Sequence, residues 1–160
     1  MERIEFVENV NLGVGIDQRA TARKVRIFLK YTFSDYLIKA GYHRTDLTSP
    51  QLDVVGISAH SGSNSAESKM MRIFDMQNRC KAVYHAISCC KDSSKQPFRT
   101  ILKSLYIDEL EDWQVADKIG YSDSRYDDLK RYALCQFADA IDTWKTLYEV
   151  NIPDLKVPEK

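Results

Sequence analysis

Residues 112–132 read DWQVADKIGYSDSRYDDLKRY, and the spacing within this stretch decides the fold. Val115, Ala116 and Ile119 recur on one face of a short helix, Gly120 interrupts it, and Tyr126 and Leu129 face back from a second helix. That is the layout of a helix-turn-helix. Residue size supports the reading position by position. A small residue is needed where the two helices cross, and Ala116 supplies it; four positions on, the turn needs a residue that enters the left-handed region without strain, and Gly120 supplies that. Ser122 is a natural N-cap for the second helix, with Arg125 at the third position where a capping box would carry Glu.

Working outward, the helix that starts at Ser122 continues well past the turn. Tyr126, Leu129, Ala133, Phe137, Ile141, Trp144 and Tyr148 follow spacings of three or four until Pro153 ends the pattern. So long an apolar stripe needs a partner, either other helices of the same chain or a second copy, with Phe137, Ile141, Trp144 and Tyr148 as the seam of a homodimer. The tail NIPDLKVPEK (residues 151–160) has no period and is expected to be mobile.

Upstream, a helix is expected from about Asp17 to Ala40, stopped by Gly41. Val25, Phe28, Leu29, Thr32, Phe33, Tyr36 and Leu37 define its packed face, while Arg19, Arg23, Arg26 and Lys30 form a basic stripe on the other side. The stripe reads either as a solvated surface or as a set of phosphate contacts. Residues 1–16 read as a loose or strand-like tail. Residues 42–65 are turn-rich (DLTSPQLD, then GISAHSGSNS) and read as a long connection, laid over the core at Leu47, Leu52, Val54 and Val55, with His60 a loop histidine. Asn64 and Glu67 have capping-box spacing, so a helix is expected over 66–91. Its Met70, Ile73, Phe74, Met76, Cys80, Val83, Tyr84 and Ile87 read as core before partner groove. Gln96-Pro97 opens a further helix to about Ile107, with Phe98, Ile101, Leu102 and Leu105 inward. The fold class is therefore all-α, in three regions: residues 1–65 (basic helix and Ser/Gly-rich linker), 66–150 (helical domain with the helix-turn-helix) and the tail.

At 160 residues and 44% apolar content the chain buries one sizeable core or two small lobes. No apolar run approaches the roughly 18 residues of a membrane span, and MERIEFVENV is unlike a signal peptide, so a cytoplasmic location and no membrane partner are expected. Net charge is zero but unevenly placed. Residues 17–45 carry seven Lys/Arg against two Asp, whereas residues 95–149 carry eight basic against eleven acidic side chains. The four cysteines have no CxxC pairing and read as free thiols. His85 and Cys89, four apart, have no second pair to complete a zinc site. Neither metal nor cofactor is expected. With no nucleophile motif and no Gly-rich phosphate loop, no enzymatic chemistry is expected either.

The run ILKSLYIDELEDWQVADKIGYSDSRYDDLKRYAL (residues 101–134) resembles region 4 of bacterial sigma-70 factors. The combination of DLTSPQLD, SGSNSAESK, LYID, GYSDSRY and ALCQFADA resembles the ArpU family of phage-encoded transcriptional regulators, over roughly residues 17–145. The resemblance implies sequence-specific binding of double-stranded DNA and control of late or lytic phage genes in the cytoplasm of a bacterial host. It further implies a recognition helix from Ser122, with Asp123, Ser124, Asp127, Asp128 and Arg131 toward the groove and Gln114, Arg125 and Lys130 near the backbone. Three of those groove-side residues are acidic, and a carboxylate near phosphates is repelled unless it accepts from cytosine N4. Two expectations follow: the basic stripe supplies phosphate affinity that the recognition helix lacks, or the acidic face binds a protein instead, such as RNA polymerase or another regulator.

Overall fold

A computed structural model describes residues 15–49 and 64–160. Among the described residues the fold is all-α, with no strand beyond two isolated antiparallel bridges, Ile16 with Pro158 and Asp92 with Pro97. The readings made for residues 1–14 and for Leu52, Val54, Val55 and His60 lie outside the described residues.

Helix α1 (Gln18–Ile27) starts where Asp17 caps it, its carboxylate accepting from the Ala20 amide at 3.0 Å. A π-helical turn, Phe28–Thr32, then leads into α2 (Phe33–Ala40), which stops at Gly41 with φ +75°. The basic helix is thus helical throughout, but the wide turn shifts its register and brings the adjacent Phe28 and Leu29 both into the core. A 3₁₀ turn, Arg44–Thr48, follows. Beyond it come α3 (Asn64–Ser88), α4 (Phe98–Tyr106), α5 (Asp112–Ile119) and α6 (Asp123–Leu147).

Helix α6 is the spine of the molecule. It packs against α1, α3, α4 and α5, and Tyr126, Leu129, Ala133, Phe137 and Ile141 are buried along it as the period demands. A single cluster of buried side chains runs from Ala22 on α1 to Leu155 near the C-terminus, so the basic helix shares its core with the helix-turn-helix.

Three readings meet the packing. First, the α6 stripe, open between other helices of this chain and a seam with a second copy, packs against this chain. Phe137 and Ile141 are fully buried, the Trp144 ring stacks on His85 at 4.6 Å, and Tyr148 lies 5.8 Å from the same imidazole. Trp144 also donates its indole N–H to the Cys89 sulfur at 3.4 Å, so His85 and Cys89 serve ring packing.

Second, the Met-rich face of α3 is only half core. Cys80, Val83 and Ile87 are buried, but Met70, Met71 and Ile73 are 41%, 54% and 37% exposed. Helical spacing reports that a face is apolar without reporting whether anything covers it.

Third, residues 151–160 are docked along the body. Ile152 and Leu155 are buried, and Lys156 pairs with Asp139 at 2.9 Å and Asp142 at 3.0 Å. The tail then crosses to the start of α1. The Val157 amide donates to the Thr21 hydroxyl at 3.0 Å, and the Asp17 amide donates to the Val157 carbonyl at 2.8 Å.

Candidate nucleic-acid interface

The turn between α5 and α6 forms as the sizes of its residues dictate. Gly120 takes φ +76°, its amide donates to the Ala116 and Asp117 carbonyls, and Tyr121 donates to Ala116 as well. Val115 and Ala116 are buried at the crossing, with Tyr126 and Leu129 opposite. Ser122 caps α6, accepting from the Arg125 amide at 3.4 Å. The first turn of α6 therefore projects outward, and Ser122, Asp123, Ser124 and Asp127 are exposed together on it.

Asp112, the first residue of α5, ties the two helices. It accepts from the Tyr126 hydroxyl at 2.7 Å and from the Lys130 ammonium at 2.9 Å. Partial burial works to raise its pKa, but those two hydrogen bonds and the charges of Lys130 and Arg26 outweigh it and hold the carboxyl below the usual range. Tyr126 moves the opposite way, its phenol pushed up by burial and by the adjacent Asp112 carboxylate.

These contacts redistribute the residues assigned to DNA. Ser122, Asp123, Ser124 and Asp127 share one exposed surface. Asp128 and Arg131 pair with each other at 3.1 Å, and the Arg131 guanidinium lies 5.3 Å from the Tyr132 ring centroid, so the two charges largely cancel. Lys130 is spent on Asp112. Gln114 accepts from the Glu111 amide at 2.8 Å, capping α5 with its own side chain. Arg125 is half-buried at the rim of the exposed turn.

The basic stripe does lie alongside. Arg26 and Lys30 line a cleft of about 420 Å³ together with Tyr31, Arg44, Tyr106, Glu109, Glu111, Asp112 and Lys130. Arg19 lies at a second hollow with Arg131, Glu159 and Lys160. Arg23 is exposed between them on α1. The four cations thus run beside the N-terminal half of α6, where phosphates flanking a groove-bound helix would lie.

One organising residue was not singled out from the sequence. Arg44 donates to the Ser34 hydroxyl at 2.6 Å and to the Tyr106 carbonyl, pairs with Glu109 at 3.1 Å, and lies 5.0 Å from the Phe33 ring centroid. It locks α2 to the end of α4, and so fixes where the basic stripe meets the helix-turn-helix. In the sequence it is a single cation in a turn, with partners some 62 positions away, and no local pattern marks it.

Among the described residues no helix is long and apolar enough to cross a membrane. A family model described as "Protein of unknown function (DUF1492)" matches residues 72–138, a span that takes in most of α3, all of α4 and α5, and the first part of α6. No curated protein and no solved structure matches the chain.

Proposed function

We propose that the chain is a sequence-specific DNA-binding transcription regulator that places the first turn of α6 in the major groove. The observation that carries this reading is the exposed first turn, Ser122 to Asp127, held by the Gly120 turn and flanked by the cations of α1. Division of labour follows from the charges. Arg19, Arg23, Arg26 and Lys30 neutralise phosphates, while Ser122, Asp123, Ser124 and Asp127 read base edges, the carboxylates as acceptors from cytosine N4. Arg125 and Arg131 lie close enough to the same face to add backbone contacts once DNA draws them in. The resemblance to phage regulators supports late or lytic phage genes as targets, in the cytoplasm of a bacterial host. Nothing in this reading calls for catalysis.

Binding to DNA upstream of such genes, followed by fluorescence anisotropy across a salt series, tests it. Replacing Arg19, Arg23, Arg26 and Lys30 by Ala is expected to weaken binding to every sequence and to reduce the slope of log affinity against log salt by about three to four. Replacing Ser124 and Asp127 by Ala is expected to change sequence preference with little effect on that slope. No complex near physiological salt with any such DNA rejects the reading.

A second reading rests on Asp123 and Asp127, which together with exposed Glu111 and Asp117 make the surface around the turn acidic. Such a surface suits a basic patch on a transcription protein such as RNA polymerase. It gains ground if the chain co-purifies with polymerase and fails to shift DNA.

A further inference from the structure

Away from the helix-turn-helix, α2 and the first half of α3 enclose an open groove of about 660 Å³ lined by Lys39, Met71, Arg72, Ile73, Asp75, Met76 and Arg79. Met71, Arg72, Asp75, Met76 and Arg79 fall at i, i+1, i+4, i+5 and i+8, a single face of α3. Ile38, on α2 next to Lys39, is 79% exposed. The face carries charges of both signs along its middle with Met71 and Met76 at its edges, and Arg79 is engaged within its own chain by Asp75 at 2.9 Å and over the Tyr36 ring at 5.3 Å. Arg72 is exposed and has no ion pair among the described residues, whereas Asp75 pairs with Arg79 at 2.9 Å along its own helix and retains a second carboxylate oxygen.

We propose that this face is occupied by the same face of a second copy, with the two α3 helices antiparallel about a two-fold axis between Ile73 and Phe74. The argument is self-complementarity. An antiparallel pair centred there sets Arg72 of each chain opposite Asp75 of the other, Met71 opposite Met76, and Ser68 opposite Arg79. Cation meets carboxylate and thioether meets thioether. An isologous interface requires that kind of match, because each residue must suit its partner twice. The exposed Ile38 and Ile73 supply apolar area beside the charged pair. This interface draws on α2 and α3 and includes no residue of the α6 stripe or of the first turn of α6.

The test needs no DNA. Light scattering on the intact chain at up to about 100 µM, a range in which even a micromolar dimer is populated, is expected to give twice the monomer mass. Arg72→Asp places like charges opposite each other twice, as does Asp75→Arg, so each variant alone is expected to be monomeric while keeping the circular dichroism spectrum of the parent. Mixing the two variants restores both opposite-charge contacts and is expected to restore the dimer mass. A monomeric parent overturns the proposal and assigns the groove to another part of the chain or another protein. A dimer that survives both variants, or a mixture that stays monomeric, overturns it equally, because only this antiparallel register predicts rescue by mixing.

Discussion

Asp112 shows how one carboxylate sets the geometry of the turn. Its two donors come from α6, so the hydrogen bonds from Tyr126 and Lys130 fix the angle between the helices as well as the charge. Tyr126→Phe keeps the buried ring and removes only the hydroxyl; stability at neutral pH is expected to fall by about 1 kcal/mol, measured by urea unfolding. The pH dependence has a definite sign. The folded pKa of Asp112 is depressed, so its contribution is complete above the unfolded carboxylate value of about 3.9 and is lost as pH falls through the lower folded value. The difference between parent and variant should therefore narrow on acidification below about pH 4, and a gap that widens there contradicts the assignment. Gly120 makes a separate point. A Cβ added to it would meet nothing within 4 Å, so the cost of Gly120→Ala is conformational, about 1–2 kcal/mol from φ +76°. Gly120→Asn should lose less in urea unfolding, because Asn tolerates the left-handed region better.

At the level of elements, a periodic stripe in the sequence marks an apolar face; whether that face is covered depends on contacts far along the chain. On α6 the period marks the buried face and leaves its partner open between this chain and a second copy; α1, α3 and α4 of the same chain supply it. Phe137→Ala is accordingly expected to cost about 3–5 kcal/mol while leaving the mass in light scattering equal to the parent's, whereas loss of a residue at a seam between copies would lower that mass. On α3 the same kind of pattern ended differently, because its first half extends beyond the helices that cover Cys80 to Ile87. The turn from α5 to α6 was legible almost to the residue, since Ala116, Gly120 and Ser122 answer local steric demands. Gln114, Lys130 and Arg131 were legible only as polar residues. Their engagement by Glu111, Asp112 and Asp128 depends on side-chain geometry that spacing does not encode.

For the molecule as a whole, the least legible feature is the closure of the two ends of the described chain on each other. NIPDLKVPEK offers no period, because an irregular segment buries isolated residues; Ile152 and Leu155 do so three positions apart, and Pro153 between them excludes a helix. The tail then pairs its backbone with the start of α1 at Asp17 and Thr21, the end of the helix that carries the basic stripe. It follows that the tail should hold α1 against α6. Removing residues 151–160 strips two buried aliphatic side chains, Ile152 and Leu155, so a loss of roughly 3–6 kcal/mol is expected in urea unfolding. The consequence for the proposed DNA contacts is more selective. With Arg19 and Arg23 on a loosened helix end, affinity should fall for all DNA sequences alike, while sequence preference, proposed to be set by the first turn of α6, should remain. Anisotropy titrations of the truncated chain against matched and mismatched DNA separate the two effects. A truncation that leaves the urea midpoint unchanged would show that the tail does not brace α1. One that lowers it while altering sequence preference would place the α6 turn, and not the α1 cations, under the tail's control.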